Sequence, residues 1–176
     1  MQRFTNSGRD AIAQNNFYAA LSIALMLPDI CASMEDPGPG KTQKRYEKWC
    51  DKWVIPKFTN SGTVWLSAQD CFQLRCSLIH SGSTQIEQTK RKGLDEIVFF
   101  DNEIKTHFNK VTGQTINGVK QPNVLQLNAA KFSETMYLAA EAWDAAVASD
   151  AAVQSEKAKL LVIHTKGAVI SGVLFG

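Results

Sequence analysis

The sequence predicts a mainly α-helical fold: a helical bundle in one domain, with a small β-element from its middle and C-terminal segments. Three observations carry this. Apolar residues recur at helical spacing over about 9–83 and again over 129–148. Val-, Ile- and Phe-rich runs broken by Gly, Pro and Asn are confined to about 95–127 and 158–175. The 176 residues fit a single domain, and a domain near this size removes roughly 70% of its unfolded surface from water.

Residues 9–35 read as one long helix, with Ile12, Phe17, Leu21, Ala24, Leu25 and Leu27 spaced for burial on most sides. Pro28 is expected to kink it, since the ring removes a donor and crowds the carbonyl of Ala24. "EDPGPGK" then reads as a loop. A second helix is expected over 41–54, with Tyr46, Trp49, Cys50 and Trp53 on one face. Lys41, Lys44, Arg45, Lys48 and Lys52 fall on its other face. "PKFTNSG" breaks the chain and echoes "RFTNSG" near the start. Each copy reads as a turn before a helix, and the match is too short to mark a repeat.

The third helix should start at Ser67, whose spacing to Asp70 fits a capping box, run to about His80 and stop at Gly82. "STQIEQTKRKG" reads as a polar connector, and its run Lys90, Arg91, Lys92 as a loop charge cluster. "EIVFF", "EIKTHFNKV" and "VLQLN" read as strands, with "TING" and "KQPN" as turns. Phe132, Met136, Leu138, Ala139, Trp143 and Val147 form the apolar side of a helix over 129–148. "KLLVIHTKGAVISGVLF" reads as a hairpin split at "HTKG".

Composition narrows the function. A net charge of +2 does not announce a nucleic-acid binder, so any basic patch must be local. Cys31, Cys50, Cys71 and Cys76 sit singly, without metal-type spacing to a histidine. No metal set and no glycine-rich phosphate loop is expected, nor any cofactor. "MQRFTNSGRD" lacks a signal core, and the run "AALSIALML" falls short of the ~20 residues of a membrane helix. A reduced, cytoplasmic, soluble protein without a membrane role is the expectation.

One stretch carries definite chemistry. "LRCSLIHSG" places Arg75 and His80 near the end of the third helix. At about 100° per residue they point about 140° apart, so the pair reads as half of a site rather than a tight couple. A guanidinium always carries charge and donates in a planar fork suited to phosphate. Histidine is the side chain that ordinarily titrates near neutrality.

This arginine–histidine spacing resembles the Arg-x4-6-His signature of HEPN domains, helical bundles of many prokaryotic ribonucleases and toxin modules. The layout agrees: an apolar helix ("FYAALSIALMLPDICASME") and a basic, aromatic one ("KRYEKWCDKWV") precede the motif. The likeness covers about residues 9–83, and the helix at 129–148 would complete a bundle.

The resemblance implies metal-independent endoribonuclease activity, with Arg75 holding the scissile phosphate and His80 as acid–base. It also implies a homodimer whose two motif helices share a cleft. A toxin or defence role follows, in some members beside a nucleotidyltransferase-type antitoxin partner. Cys76, Ser77 and Ser81 flank the pair, and Cys76 stands where the family commonly has a polar residue, often asparagine. A thiol is a weaker donor and acceptor than an amide, so a catalytically inactive module binding RNA, a nucleotide or a protein is the alternative.

Plainer readings stand beside these. Arg75 can be a solvated arginine, and His80 a helix-ending histidine at the negative end of the dipole. The stripe of Lys41, Lys44, Arg45, Lys48 and Lys52 reads first as a solvated face, with RNA phosphate tracking as the alternative. Tyr46, Trp49 and Trp53 read as core or interface residues, with base stacking as the alternative, and His107 and His164 as structural.

Overall fold

A computed structural model describes residues 1–84, 94–101, 103, 107, 109–164, 166, 168–170 and 172–175. The fold is mainly helical with small sheets. Its helices are α1 (Gln2–Ala13), α2 (Phe17–Glu35), α3 (Thr42–Trp53), α4 (Ala68–Ser81), α5 (Ala129–Ala146) and α6 (Ala151–Lys157).

The long helix expected over 9–35 is two helices. α1 begins seven residues earlier, and the chain breaks at "QNN", where Asn15 takes a left-handed φ of 55°. Asn16 then caps α2 by accepting from the Ala19 N–H at 3.2 Å. Asparagine tolerates the left-handed region and caps helices well, so the Asn-Asn pair supplies both needs.

α2 packs against α1, α3, α4, α5 and α6. That explains its nearly uniform apolarity. Ala24, Leu25 and Leu27 are fully buried, and the helix continues through the buried Pro28. Among the described residues α2 is the one helix long and apolar enough to cross a membrane by length and composition, beyond the short run read from sequence.

Two tyrosines from neighbouring helices donate to α2 carbonyls: Tyr137 to Ala20 at 2.8 Å and Tyr46 to Leu25 at 3.3 Å. Burial pushes Tyr137's hydroxyl up to about 12. α1 lies close to the Tyr137 ring at Gly8, where a Cβ atom would sit 2.3 Å from the Cζ. Glycine inside a helix is ordinarily unfavourable, and here the close approach requires it.

Arg9 of α1 forks to two carboxylates of α5, bonding Glu134 at 2.7 Å and Glu141 at 2.6 Å. Thr5 adds a 2.6 Å bond to Glu141. The hydrogen bond from Arg9 holds Glu141 below the usual carboxylate range.

The two "FTNSG" copies diverge completely. Phe4–Gly8 lie inside α1, whereas the second copy leaves a 3-10 turn (Ile55–Phe58) for the ribbon β1 (Thr59–Asn60) and β2 (Thr63–Val64). Burial decides. Thr5 and Gly8 are buried against other helices, whereas Thr59, Asn60, Ser61 and Gly62 are exposed.

β3 (Glu96–Phe100) pairs in parallel with β7 (Val124–Asn128), and β4 (Asn109–Val111) pairs antiparallel along β7's other edge. "EIVFF" and "VLQLN" are thus strands as expected. "EIKTHFNKV" gives a strand only over its last three described residues, and 102, 104–106 and 108 lie outside the description. "TING" makes the tight turn between β5 (Thr115–Ile116) and β6 (Val119–Lys120), with positive φ at Asn117 and Gly118. Ile97, Leu125 and Leu127 are fully buried, and Phe99 meets Phe132 of α5 edge-on at 5.3 Å. Sheet and helices therefore share one core.

α5 follows β7 without a loop. Asn128 caps it through the Lys131 N–H at 2.9 Å, and its own N–H donates to His107 Nδ1 at 3.2 Å. Burial, with Lys131 nearby, holds His107 below the usual histidine range. Leu138, expected on the apolar side of this helix, is exposed, because two residues beyond Met136 the helix has turned away from the core.

Two features near the C-terminus differ from expectation. α6 was not read from sequence, although Asp150 caps it at Ala152 and Val153. The hairpin is β8 (Ala168–Ile170) with β9 (Val173–Phe175), turning at Gly172 rather than at "HTKG", and residues 158–164 form no strand. The connector at 85–93, with Lys90, Arg91 and Lys92, lies outside the described residues.

Candidate functional site

α4 is specified at both ends. Ser67 Oγ accepts from the Asp70 N–H at 3.1 Å, and Asp70 Oδ2 accepts from the Ser67 N–H at 3.1 Å, a complete capping box. At the far end Gly82 adopts φ 61° and donates to the Leu78 carbonyl at 3.0 Å. Cys71 and Leu74 anchor the inner face with no exposure. The next residue, Arg75, is held half-buried at the rim, and His80 is exposed in the last turn.

The arginine and histidine do meet. Arg75 Nη1 lies 3.5 Å from His80 Nε2, although their Cβ directions diverge along the helix. The expectation of a separated pair failed because helical angles fix where side chains leave the backbone, and arginine's long stem covers the difference. A guanidinium only donates, so the contact is a hydrogen bond when Nε2 presents its lone pair.

Arg75 is also tethered. Its Nε donates to Asp29 Oδ2 at 2.7 Å, joining α4 to α2. Sequence reasoning missed Asp29, though a signal was present: it is the lone charge in the apolar stretch between Phe17 and Glu35. A carboxylate there needs a partner or solvent. Burial pushes the Asp29 carboxyl above the usual range, outweighing the downward pull of Arg75 and Arg45. For Arg75 burial opposes the charge, yet Asp29 and Cys76 more than offset it, and its affinity for the proton rises. The pair thus secures the arginine's charge outright, while for the aspartate it only reduces the cost of burial.

Cys76 occupies the position after the arginine, half-buried, with its Sγ 4.0 Å from Arg75 Nη1. Ser77 is half-buried and Ser81 exposed. Arg75, His80, Cys76 and Asp29 form one group at the α2–α4 junction.

The basic stripe of α3 lies beside this group. Lys41, Lys44, Lys48 and Lys52 are exposed, and Arg45 is half-buried with its Nη1 donating to the Asp36 and Gly38 carbonyls at 3.0 and 2.7 Å. Opposite the stripe, Tyr46, Trp49 and Cys50 are buried, so this aromatic face belongs largely to the core.

A separate apolar cavity of about 370 Å³ lies where α2, α4 and β3 meet, lined in part by Phe17, Leu78, Gly82 and Phe99. Among the described residues no three or more His, Cys, Asp or Glu side chains converge as a metal ion would require.

No protein-family model, curated protein or solved structure matches the chain. What the site does must be argued from its own chemistry.

Proposed function

We propose that the protein is a metal-independent endoribonuclease of HEPN type, with Arg75 and His80 as its working pair. One observation carries the reading: a charged guanidinium, fixed by Asp29, stands 3.5 Å from the nitrogen of an exposed histidine. When RNA binds, His80 Nε2 exchanges its Arg75 contact for the ribose 2′-hydroxyl and removes that proton. The freed oxygen attacks phosphorus, the bond to the 5′-oxygen breaks, and that oxygen leaves with a proton. Arg75's remaining N–H groups stabilise the charge growing on the phosphoryl oxygens. The 2′-hydroxyl requirement makes RNA the substrate and DNA a poor one.

One histidine cannot take the first proton and deliver the second at the same instant, so a second copy of the site fits the chemistry. Large apolar residues exposed around the pair support a homodimer. Met26, 38% exposed, lies one turn before Asp29, and Ile79, 41% exposed, lies one turn after Arg75. A toxin or defence role, with or without a nucleotidyltransferase-type partner, belongs to this reading.

A second reading has its own support. The Asp29–Arg75 bond is also a structural clamp between α2 and α4, and the Cys76 thiol offers the site weaker hydrogen bonding than an amide. On that reading the protein binds RNA, a nucleotide or a protein without cleaving. Purified protein incubated with several RNAs in chelator separates the two. The enzyme reading expects wild-type cleavage that falls about 10²–10⁴-fold in His80→Ala and about 10²–10³-fold in Arg75→Ala. Cleavage surviving both substitutions excludes this site, and no wild-type cleavage favours the binding module.

A further inference from the structure

Two neighbouring cavities, of about 260 and 460 Å³, share Glu35, Lys48 and Trp49 as lining residues. Together they make a groove along the basic face of α3, bounded by the end of α2 and by α6. Lys41, Lys44 and Arg45 line one part, and Lys52, Trp53 and Asp150 the other. The cations from Lys41 to Lys52 extend about 16 Å along the helix.

Five cations meet three carboxylates in this groove, and each carboxylate is already engaged. Glu35 accepts from the Trp143 indole at 2.9 Å, Asp36 lies 3.9 Å from Lys41, and Asp150 caps α6. Among the described residues Lys44 and Lys48 take part in no ion pair. The indole N–H groups of Trp49 and Trp53 are buried without a hydrogen-bond partner among the described residues. Lys52 Nζ stands 4.7 Å from the centroid of the Trp53 ring, so one face of that ring already receives a cation.

The groove is continuous in direction with the Arg75–His80 pair. Asp29, which holds Arg75, and Asp36, which lines the groove, are seven residues apart at the end of α2. That spacing puts them on one face, about 10 Å apart along the axis. Arg45 lines the groove and is near enough to Asp29 to draw its carboxyl down.

We propose that this α3 groove binds the phosphodiester backbone of a single-stranded RNA and leads it to Arg75 and His80. The inference rests on the ribonuclease reading for the identity of its ligand, while the binding needs no cleavage. A linear, narrow row of cations suits a chain with one charge per nucleotide. A membrane surface would call for a flat basic face with exposed apolar side chains, whereas in this groove Ala32, Trp49 and Val153 are buried and Trp53 is half-buried.

The test uses a short fluorescein-labelled oligouridylate, read by anisotropy in chelator against full-length His80→Ala protein, so that binding is separated from cleavage. In that background Lys44→Glu/Lys48→Glu is compared with the same charge change at Lys120→Glu/Lys166→Glu, far along the chain. The groove variant should lose at least roughly tenfold in affinity, and its salt slope should fall by about 1.4 for two lost phosphate contacts. The control variant should keep both, and all proteins should unfold at the same temperature.

Four results overturn the proposal: equal binding by the two variants and the parent, equal losses in both variants, no binding by the parent at low salt, or equal competition by an acidic peptide of the same charge. Oligouridylate binding in the groove by a wild-type protein that cleaves no RNA sinks the ribonuclease reading and leaves the groove standing.

Discussion

Asp29 is where a single charge organises a site. It interrupts an apolar helix, takes Arg75 as partner, and leaves that guanidinium beside His80. Asp29→Asn removes the carboxylate and frees the arginine to wander. On the proposed ribonuclease reading, RNA cleavage should fall by up to about 10²-fold through misplacement, with RNA affinity little changed. Rescue by Asp29→Glu distinguishes positioning from general damage. Chemical denaturation should show a loss of less than about 1.5 kcal/mol for the asparagine variant, because the burial that raises the Asp29 carboxyl offsets the bond to Arg75.

Gly8 is the opposite kind of residue, needed for what it lacks. Gly8→Ala would ordinarily stabilise a helix by about 0.5–1 kcal/mol, but its methyl group falls onto the Tyr137 ring. A net destabilisation of about 1–2 kcal/mol is expected in urea unfolding, and a gain in stability would refute the close approach. Neither Asp29's partner nor Gly8's neighbour was legible in the sequence, because each depends on which helices meet. The motif residues Arg75 and His80 were legible. Their contact was not, since helical angles say nothing about the reach of a long side chain.

Among the elements, α4, α5, β3 and β7 were read correctly from local signals, whereas α6 was missed despite its Asp150 cap. α4 carries its own start in Ser67 and Asp70 and its own stop in Gly82, and the structure realises both. Ser67→Ala should therefore cost about 1 kcal/mol of stability, measured by thermal or chemical melts. β3 and β7 announced themselves by composition, and α5 by its apolar face. Two of the failures share a cause. "FTNSG" is helical at residues 4–8 and a ribbon at 58–62, so tertiary contacts rather than the five residues choose the conformation. The break between α1 and α2 was hidden in the same way. Apolar spacing on both sides of "QNN" continues as if one helix ran through it, and only the positive φ at Asn15 ends the first.

At the scale of the molecule, α2 forms the axis on which α1, α3, α4, α5, α6 and the site converge. The Arg9 fork to Glu134 and Glu141 ties α1 to α5 across this core. Because Glu141 is held below the usual carboxylate range, its contribution is present at neutral pH and is lost as pH falls through its folded-state value. Glu141→Gln should cost about 1 kcal/mol at pH 7, a modest figure because both partners are about a third exposed. The gap to wild type should close below the ordinary glutamate range, about pH 4.3. A gap that widens on acidification would reverse the assignment.

Whether the Arg75–His80 pair cleaves RNA is decided most directly by the chemistry of the product ends. Wild-type protein in chelator should release fragments ending in 2′,3′-cyclic phosphate and beginning with 5′-hydroxyl, and His80→Ala should release almost none. Fragments with 3′-hydroxyl and 5′-phosphate ends, or RNA left intact by the wild-type protein, would contradict the account.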